Sequence, residues 1–570
     1  MKNHKFMWLI SIMLVLSVFL AACGDKEEAG TTEPVKDKEE DKGTTEEPAN
    51  EEVAQVLNLI ETAEIPSIDS SISEDAVGFN VLNNIMEGLY RLDQDSLPVP
   101  AMADGEPEIS EDGLTYTFKI RDAQWSDGTP VTAHDFVYAW QRAVDPDTGS
   151  PYGPYLMAGM IKNATEIGEG TAEIADLGIK AEDDKTLIVE LERPVAYFLS
   201  LMSFGTFYPL NEEFVTAQGD KYATNSEAMI YNGPFSLTDW DGTGNWKYVK
   251  NDKYWDADTV KLEEIIVDVV KETATGVKLY EQGKKDRVLL SAEYAMQFAD
   301  DPNIINELET SVFYFKLNQE RNGKATPLAN ADIRKAFARA FNKEELADAI
   351  LANGSIAANF LVADDFTFDA DGKDFRDYSG EFSAYNVEEA QEYWKKGLAA
   401  LGTDKVEIEI LGGDTENAKK QQEWFKSEFE RNLPGLTIKL KEVPFAVRLE
   451  LDDTSDYDVQ SAGWGPDFQD PISFMELFVT GSPQNKMNYS NPEYDKLIES
   501  TKTTIATDPV ARFEAFAKAE KILLEDDAGL VPQYQRGRMV LMNPAVKGLA
   551  THPFGGDYSY KWTYMEAAEK

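Results

Sequence analysis

The chain has 570 residues, 42% of them hydrophobic, with ten tryptophans and a formal net charge of −49 at pH 7. That length admits about three or four domains, and the apolar content suits a large folded protein rather than a disordered one. The surplus of carboxylates excludes a phosphate backbone as partner, and it excludes lying flat on an anionic membrane surface.

In chain order, "MKNHK" is a positive start, "FMWLISIMLVLSVFL" (6–20) a short apolar core and "LAAC" (20–23) a small-residue site directly after it. That order predicts a signal peptide over 1–22 rather than a membrane span. Cys23 is the only cysteine of the chain, so no disulfide can use it. "LAAC" resembles the lipobox of bacterial lipoproteins, which implies a lipidated Cys23 anchoring the protein to the outer face of the cell membrane. Residues 23–52 then form an acidic, Thr- and Gly-rich tether that cannot bury a core.

From Val53 onward strand and helix patterns alternate. "DGLTYTFKI" (112–120) alternates polar and apolar residues after an Asp-Gly turn, as a half-buried strand does. In "QWSDGTPVTAHDFVYAWQRAVDP" (124–146) Thr132 is placed to cap a helix, with Asp135 three residues on and Phe136, Val137, Trp140 and Val144 near one face. "KTLIVELERPVAYFLSLM" (185–202) reads as strand, proline break and apolar helix, and 331–354 as one helical run stopped at Gly354. "VEIEILGG" (406–413) and "LTIKLKEV" (436–443) flank a helix, an order that predicts parallel pairing. The fold class is α/β, or mixed α+β.

Seven stretches, in order, resemble the oligopeptide-binding lipoproteins of bacterial ABC importers, a large family that includes dipeptide and nickel binders. They are "NNIMEGLYRLD" (83–93), "WSDGTPVTAHDFVYAWQR" (125–142), "DPDTGSPY" (145–152), "YNGPFSLTDW" (231–240), "NDKYWD" (251–256), "IRKAFARAFNKE" (333–344) and "AGWGPDFQDPISFMELF" (462–478). The resemblance implies two lobes hinged around an enclosed peptide, with an additional third domain. Carried onto this chain, lobe I combines 53–86, 211–312 and 537–570, the additional domain covers 87–210, and lobe II covers 313–536. It also implies delivery of the peptide to the permease subunits of a membrane transporter by a monomeric protein without a cofactor.

Within "SAGWGPDFQDP" (461–471), Asp467 sits among aromatic, glycine and proline residues, where an unpaired carboxylate is costly. On the residues alone it could brace its own loop or meet a cation. The resemblance makes it the acceptor of the ligand's α-ammonium group. It further implies that Glu74, Asp75 and Ala76 on one lobe, and Gly463, Trp464 and Gly465 on the other, hold the ligand backbone as an added strand. Tyr152 and Phe445 match aromatics that line the ligand, and Phe468 joins them; all could equally be packing. Ser461, Asp452 and Leu351 stand where the family places basic residues, so no carboxylate anchor is expected, and Arg448 is the nearby basic alternative.

An enzyme is not expected: neither HExxH nor GxSxG occurs, and there are three histidines, His4, His134 and His552, of which His4 belongs to the leader. Few histidines also weaken a nickel or other metal site. The competing readings keep the fold and change the ligand, to an oligosaccharide, a nickel chelate, haem or a cell-wall peptide, or make the protein a peptide-sensing receptor.

Overall fold

The computed structural model describes residues 53–567. The leader, Cys23 and the acidic tether therefore lie outside the described residues. Three larger sheets carry the architecture. In the first, the strand Val56–Glu61 pairs in parallel with Glu264–Val269, and Trp246–Lys250 and Phe235–Thr238 extend it antiparallel. Alternation sends Leu57 and Leu59 inward, as a strand with one buried face requires.

The second sheet is antiparallel, in the order Glu108–Ile109, Thr115–Lys119, Thr186–Glu190, Ile179–Asp183. The helix Ala133–Val144 packs on it with Phe136, Trp140 and Val144 buried and Val137 half-buried. The expected cap is present: the Thr132 N–H donates to the Asp135 carboxylate at 2.8 Å.

The third sheet orders its strands Arg287–Leu290, Leu530–Met542, Ile304–Leu317, Val459–Trp464, Val406–Gly413, Leu436–Val443. Val406–Gly413 and Leu436–Val443 run parallel, joined through the helix Glu416–Asn432, as the strand–helix–strand pattern predicts. Two strands, Ile304–Leu317 and Leu530–Met542, are far longer than the rest and lie side by side. They run through the boundaries expected at 312/313 and 536/537.

Two helix expectations need correction. The run 331–354 is not one helix. It stops after Ala331–Arg339, restarts at Lys343–Glu345 under an Asn342 cap, and ends in a wide turn over Leu346–Leu351. Asn342 uses its side chain to accept the Glu345 N–H, a local bond that competes with helix continuation. Ala352, at φ 44°, closes the segment before Gly354 is reached. The apolar helix in 185–202 is a single turn, Phe198–Leu201. Phe198, Leu201, Phe204 and Phe207 are all buried, and their three-residue spacing suits tight 3-10 turns better than an α-helix.

Candidate functional site

The site grows out of the end of the strand Val459–Trp464. Its inner edge pairs with Ile304–Leu317, setting Phe313 opposite Gly463 and Val312 opposite Trp464. Its outer edge pairs with Val406–Gly413 only at Val459 and Gln460. From Ser461 onward, among the described residues, no strand covers that edge, which leaves extended backbone able to bond another strand.

The two glycines here are required by close packing. A Cβ on Gly463 would stand 2.8 Å from the Phe313 ring, and one on Gly465 2.9 Å from the Ser311 hydroxyl. Both glycines are exposed. Trp464 is half-buried; its ring stacks on Tyr152 at 6.2 Å and 6°, meets Tyr155 edge-on at 6.4 Å, and its indole N–H has no partner among the described residues.

The chain then turns through Pro466 and Asp467, both buried. The Asp467 N–H donates to the Ser473 hydroxyl at 2.8 Å, so the backbone of this residue braces the loop. Its carboxylate does something else. Oδ1 accepts a bond of 3.3 Å from the Tyr152 hydroxyl, and Oδ2 is buried without a partner among the described residues. Burial holds the carboxyl well above the usual carboxylate range, against the pull of the Tyr152 and Ser473 hydroxyls. Three residues on, Asp470 shows how the same loop treats a structural carboxylate: Arg512 grips both its oxygens at 2.8 and 2.9 Å. Asp467 has no such cation among the described residues. Phe468 is packing here, its ring stacked on Tyr197 at 4.3 Å.

The residues expected on the opposing wall come from the start of the helix Ala76–Ile85. Asp75 caps it, with Oδ1 accepting the Gly78 N–H at 2.9 Å and Oδ2 unpartnered among the described residues. Burial raises its pKa to about 7, although the N–H groups of the helix start pull it down. Ala76 is exposed. Glu74 reaches Lys486 at 2.9 Å, and Lys486 also pairs with Asp453, so this ion cluster ties the segment before the helix Ala76–Ile85 to the end of the helix Phe445–Asp453. Burial raises the pKa of Glu74 against the attraction of Lys486.

Phe445, half-buried, lies under the Arg448 guanidinium at 5.0 Å. Of the three positions expected to lack basic residues, Leu351 is core, Asp452 is buried against Lys316 at 2.6 Å, and Ser461 offers its carbonyl to Arg448 at 2.9 Å. Burial lowers the pKa of Lys316 even though Asp452 opposes the shift. Sequence reasoning missed Lys316, Lys486 and Tyr155. For Lys316 a signal existed, a lone lysine inside the apolar strand "SVFYFKL" (311–317).

The remaining chemistry is sparse. His552 is buried, shares a 3.1 Å contact with the Ser96 hydroxyl and is pushed down to about 4 by burial, while exposed His134 lies 3.6 Å from Asp184. Among the described residues no group of His, Cys, Asp and Glu is arranged to hold a metal, and no helix is long and apolar enough to cross a membrane. A surface groove of about 440 Å³ near Pro327, Asn330 and Leu401 contains none of the site residues.

A mixed α/β fold with an uncovered strand edge, beside a buried carboxylate that has no ion pair among the described residues, suits a binding protein. Residues 98–486 match the bacterial extracellular solute-binding proteins, family 5, and the chain belongs to that family of solute-binding proteins, which are not enzymes. The resemblance read from the seven stretches therefore holds. A dipeptide-binding protein of Lactococcus lactis is 33% identical over 99% of this chain and 100% of its own length. A Listeria monocytogenes OppA structure with bound peptide superposes with a TM-score of 0.87 at 50% identity, covering 90% of this chain and 99% of that one. Against the unliganded open form of MppA, a periplasmic murein tripeptide-binding protein, the TM-score is 0.59 at 26% identity, with 90% of this chain and 97% of that one covered.

Proposed function

We propose that the protein captures oligopeptides between two lobes and delivers them to a membrane ABC transporter. The observation that carries this reading is Asp467, a buried carboxylate that among the described residues has one oxygen unpartnered and no cation beside it. An α-ammonium group is the ligand feature that would complete it, and every peptide with a free amino terminus supplies one. Beside it, Gly463, Trp464 and Gly465 offer backbone to the ligand as a sheet edge does, and Glu74, Asp75 and Ala76 face it from the other wall. Main-chain bonding of this kind serves ligands of varied sequence. The names of the relatives, a dipeptide-binding protein and an OppA with bound peptide, favour the same ligand class.

The lobes divide as the sequence suggests: 53–86, 211–312 and 537–570 in the first, 87–210 as the additional domain, 313–536 in the second. In support, the first sheet falls in the first group and the second in the additional domain. The two long strands are the pieces that cross between the lobes, the natural place for a hinge. Closure around a peptide would shift the population toward the form the transporter meets.

The protein is held at the outer face of the cell membrane by a lipidated Cys23. Cys23→Ser is expected to move it from the membrane fraction to the medium, and unchanged retention in the membrane would count against the anchor. The function itself is tested by native mass spectrometry of the part from residue 53 onward, followed by denaturation. A ladder of co-purifying peptides is the expected result; one non-peptide mass would overturn the peptide reading.

A further inference from the structure

Between the end of the strand Val459–Trp464 and the helical turn Ile472–Met475 the chain has no regular structure. The place of Asp467 is therefore fixed by individual bonds and not by a ladder. The Pro466 carbonyl accepts the Gly555 N–H at 3.0 Å, and the Gln469 side chain donates to the Phe366 carbonyl at 3.0 Å. The main-chain N–H of Asp467 has one acceptor, the Ser473 hydroxyl.

Ser473 is held in turn. It is fully buried, and its own N–H donates to the Asp470 carbonyl at 3.0 Å. Asp470 is the knot of the loop. Its N–H donates to the Phe468 carbonyl at 2.9 Å, its carbonyl takes Ser473, and its Oδ1 takes the Ile472 N–H at 3.0 Å. A carboxylate this enclosed stays charged and in place only with a cation beside it. Arg512 supplies that cation through two parallel bonds of 2.8 and 2.9 Å.

The guanidinium is anchored as well. Its Nε donates to the Thr501 carbonyl at 3.2 Å, and the Phe516 ring lies 5.3 Å from it. Thr501 and Arg512 belong to the helices Pro492–Lys502 and Pro509–Lys521, so the knot of the loop is tied to a pair of helices outside the site. The bonds run without a gap from Arg512 to Asp470, from Asp470 to Ser473 and from Ser473 to Asp467. Gly463 and Trp464 depend on none of them. The ladder to Ile304–Leu317 holds that edge.

We propose that Arg512 is a positioning residue for Asp467, acting through Asp470 and Ser473. This rests on the reading of Asp467 as the acceptor of a peptide's α-ammonium. Arg512 touches no part of the ligand. It sets where the carboxylate of Asp467 stands, and a hydrogen bond weakens steeply once donor and acceptor are out of line. The two parts of the site therefore answer to different supports, the strand edge to the sheet and the carboxylate to Arg512. Loss of Arg512 is a loss of amine selectivity and not of binding as a whole.

The test titrates the part from residue 53 onward with a random hexapeptide library, free or N-acetylated. The readout is the ratio of the two affinities, together with thermal unfolding. Arg512→Met alone strands a buried carboxylate and lowers stability, so it is paired with Asp470→Leu, which restores an apolar contact. The double variant is expected to melt near wild type and to bind the acetylated library within a few-fold of it. Its ratio should fall roughly 10-fold, the scale on which members of one hydrogen-bond network couple. Arg512→Lys keeps the charge without the fork and should recover part of the ratio. A wild-type ratio in the folded double variant overturns the role of Arg512 alone, as does an equal loss for both libraries. A wild-type protein that binds the two libraries equally, or neither, overturns the reading of Asp467 and this inference with it.

Discussion

Asp467→Ala is expected to weaken peptides with a free amino terminus by at least ~30-fold, because removing one partner of a buried charge pair costs about 2–5 kcal/mol or more. N-acetylated peptides, which have no ammonium to place, should bind wild type poorly and lose little further in the variant. The same substitution should leave thermal stability unchanged or raised. Asp467 is a buried carboxyl whose Oδ2 has no partner among the described residues, and burial holds its pKa well above the usual carboxylate range. Below its unfolded pKa that raised pKa carries no penalty. The penalty grows as pH rises toward the folded value, so the stability gained in Asp467→Asn should increase with pH over that range. A loop brace behaves oppositely: its removal lowers stability and touches all ligands alike. Asp467→Asn keeps the shape and the Tyr152 contact, so a variant that binds free-amine peptides at wild-type strength would sink the role.

Lys316→Met is expected to cost about 3–5 kcal/mol of stability. Lys316 and Asp452 meet at 2.6 Å with each side chain about nine-tenths buried, and the second oxygen of Asp452 has no other partner. Stripping the ammonium leaves an uncompensated carboxylate between the strand Ile304–Leu317 and the helix that carries Phe445 and Arg448. Urea denaturation reads the loss directly. Adding Asp452→Leu should recover much of it, since an apolar pair of similar volume replaces a buried ion pair at little cost. A single variant within 0.5 kcal/mol of wild type, the range of an ordinary surface change, would show that the pair is not structural and that Asp452 is free to act in the site.

Much of this was legible in the sequence, for reasons that differ by element. The strand–helix–strand unit of 406–443 announces itself because its apolar period changes from two to 3.6 and back within a short span. Asp467 stood out because a carboxylate in an aromatic, proline-bounded loop poses a solvation problem that only a partner solves. Asp470, in the same loop, poses the same problem, and no local pattern reveals that Arg512 solves it from 42 positions away. The facing of Arg448 was closed to sequence reading for the same reason. A helix with glutamates and aspartates on several sides has no single polar face, so no local pattern decides which way it turns. The broken run after Arg339 shows the reverse failure. Helix-forming residues filled 331–354, and one asparagine side chain bond outweighed the sum of weak propensities.

The central claim, that Asp467 receives an α-ammonium, is tested most directly by calorimetric titration of wild type with one peptide, free or N-acetylated. The free peptide should bind far more tightly. Equal affinity for the acetylated peptide would contradict the account.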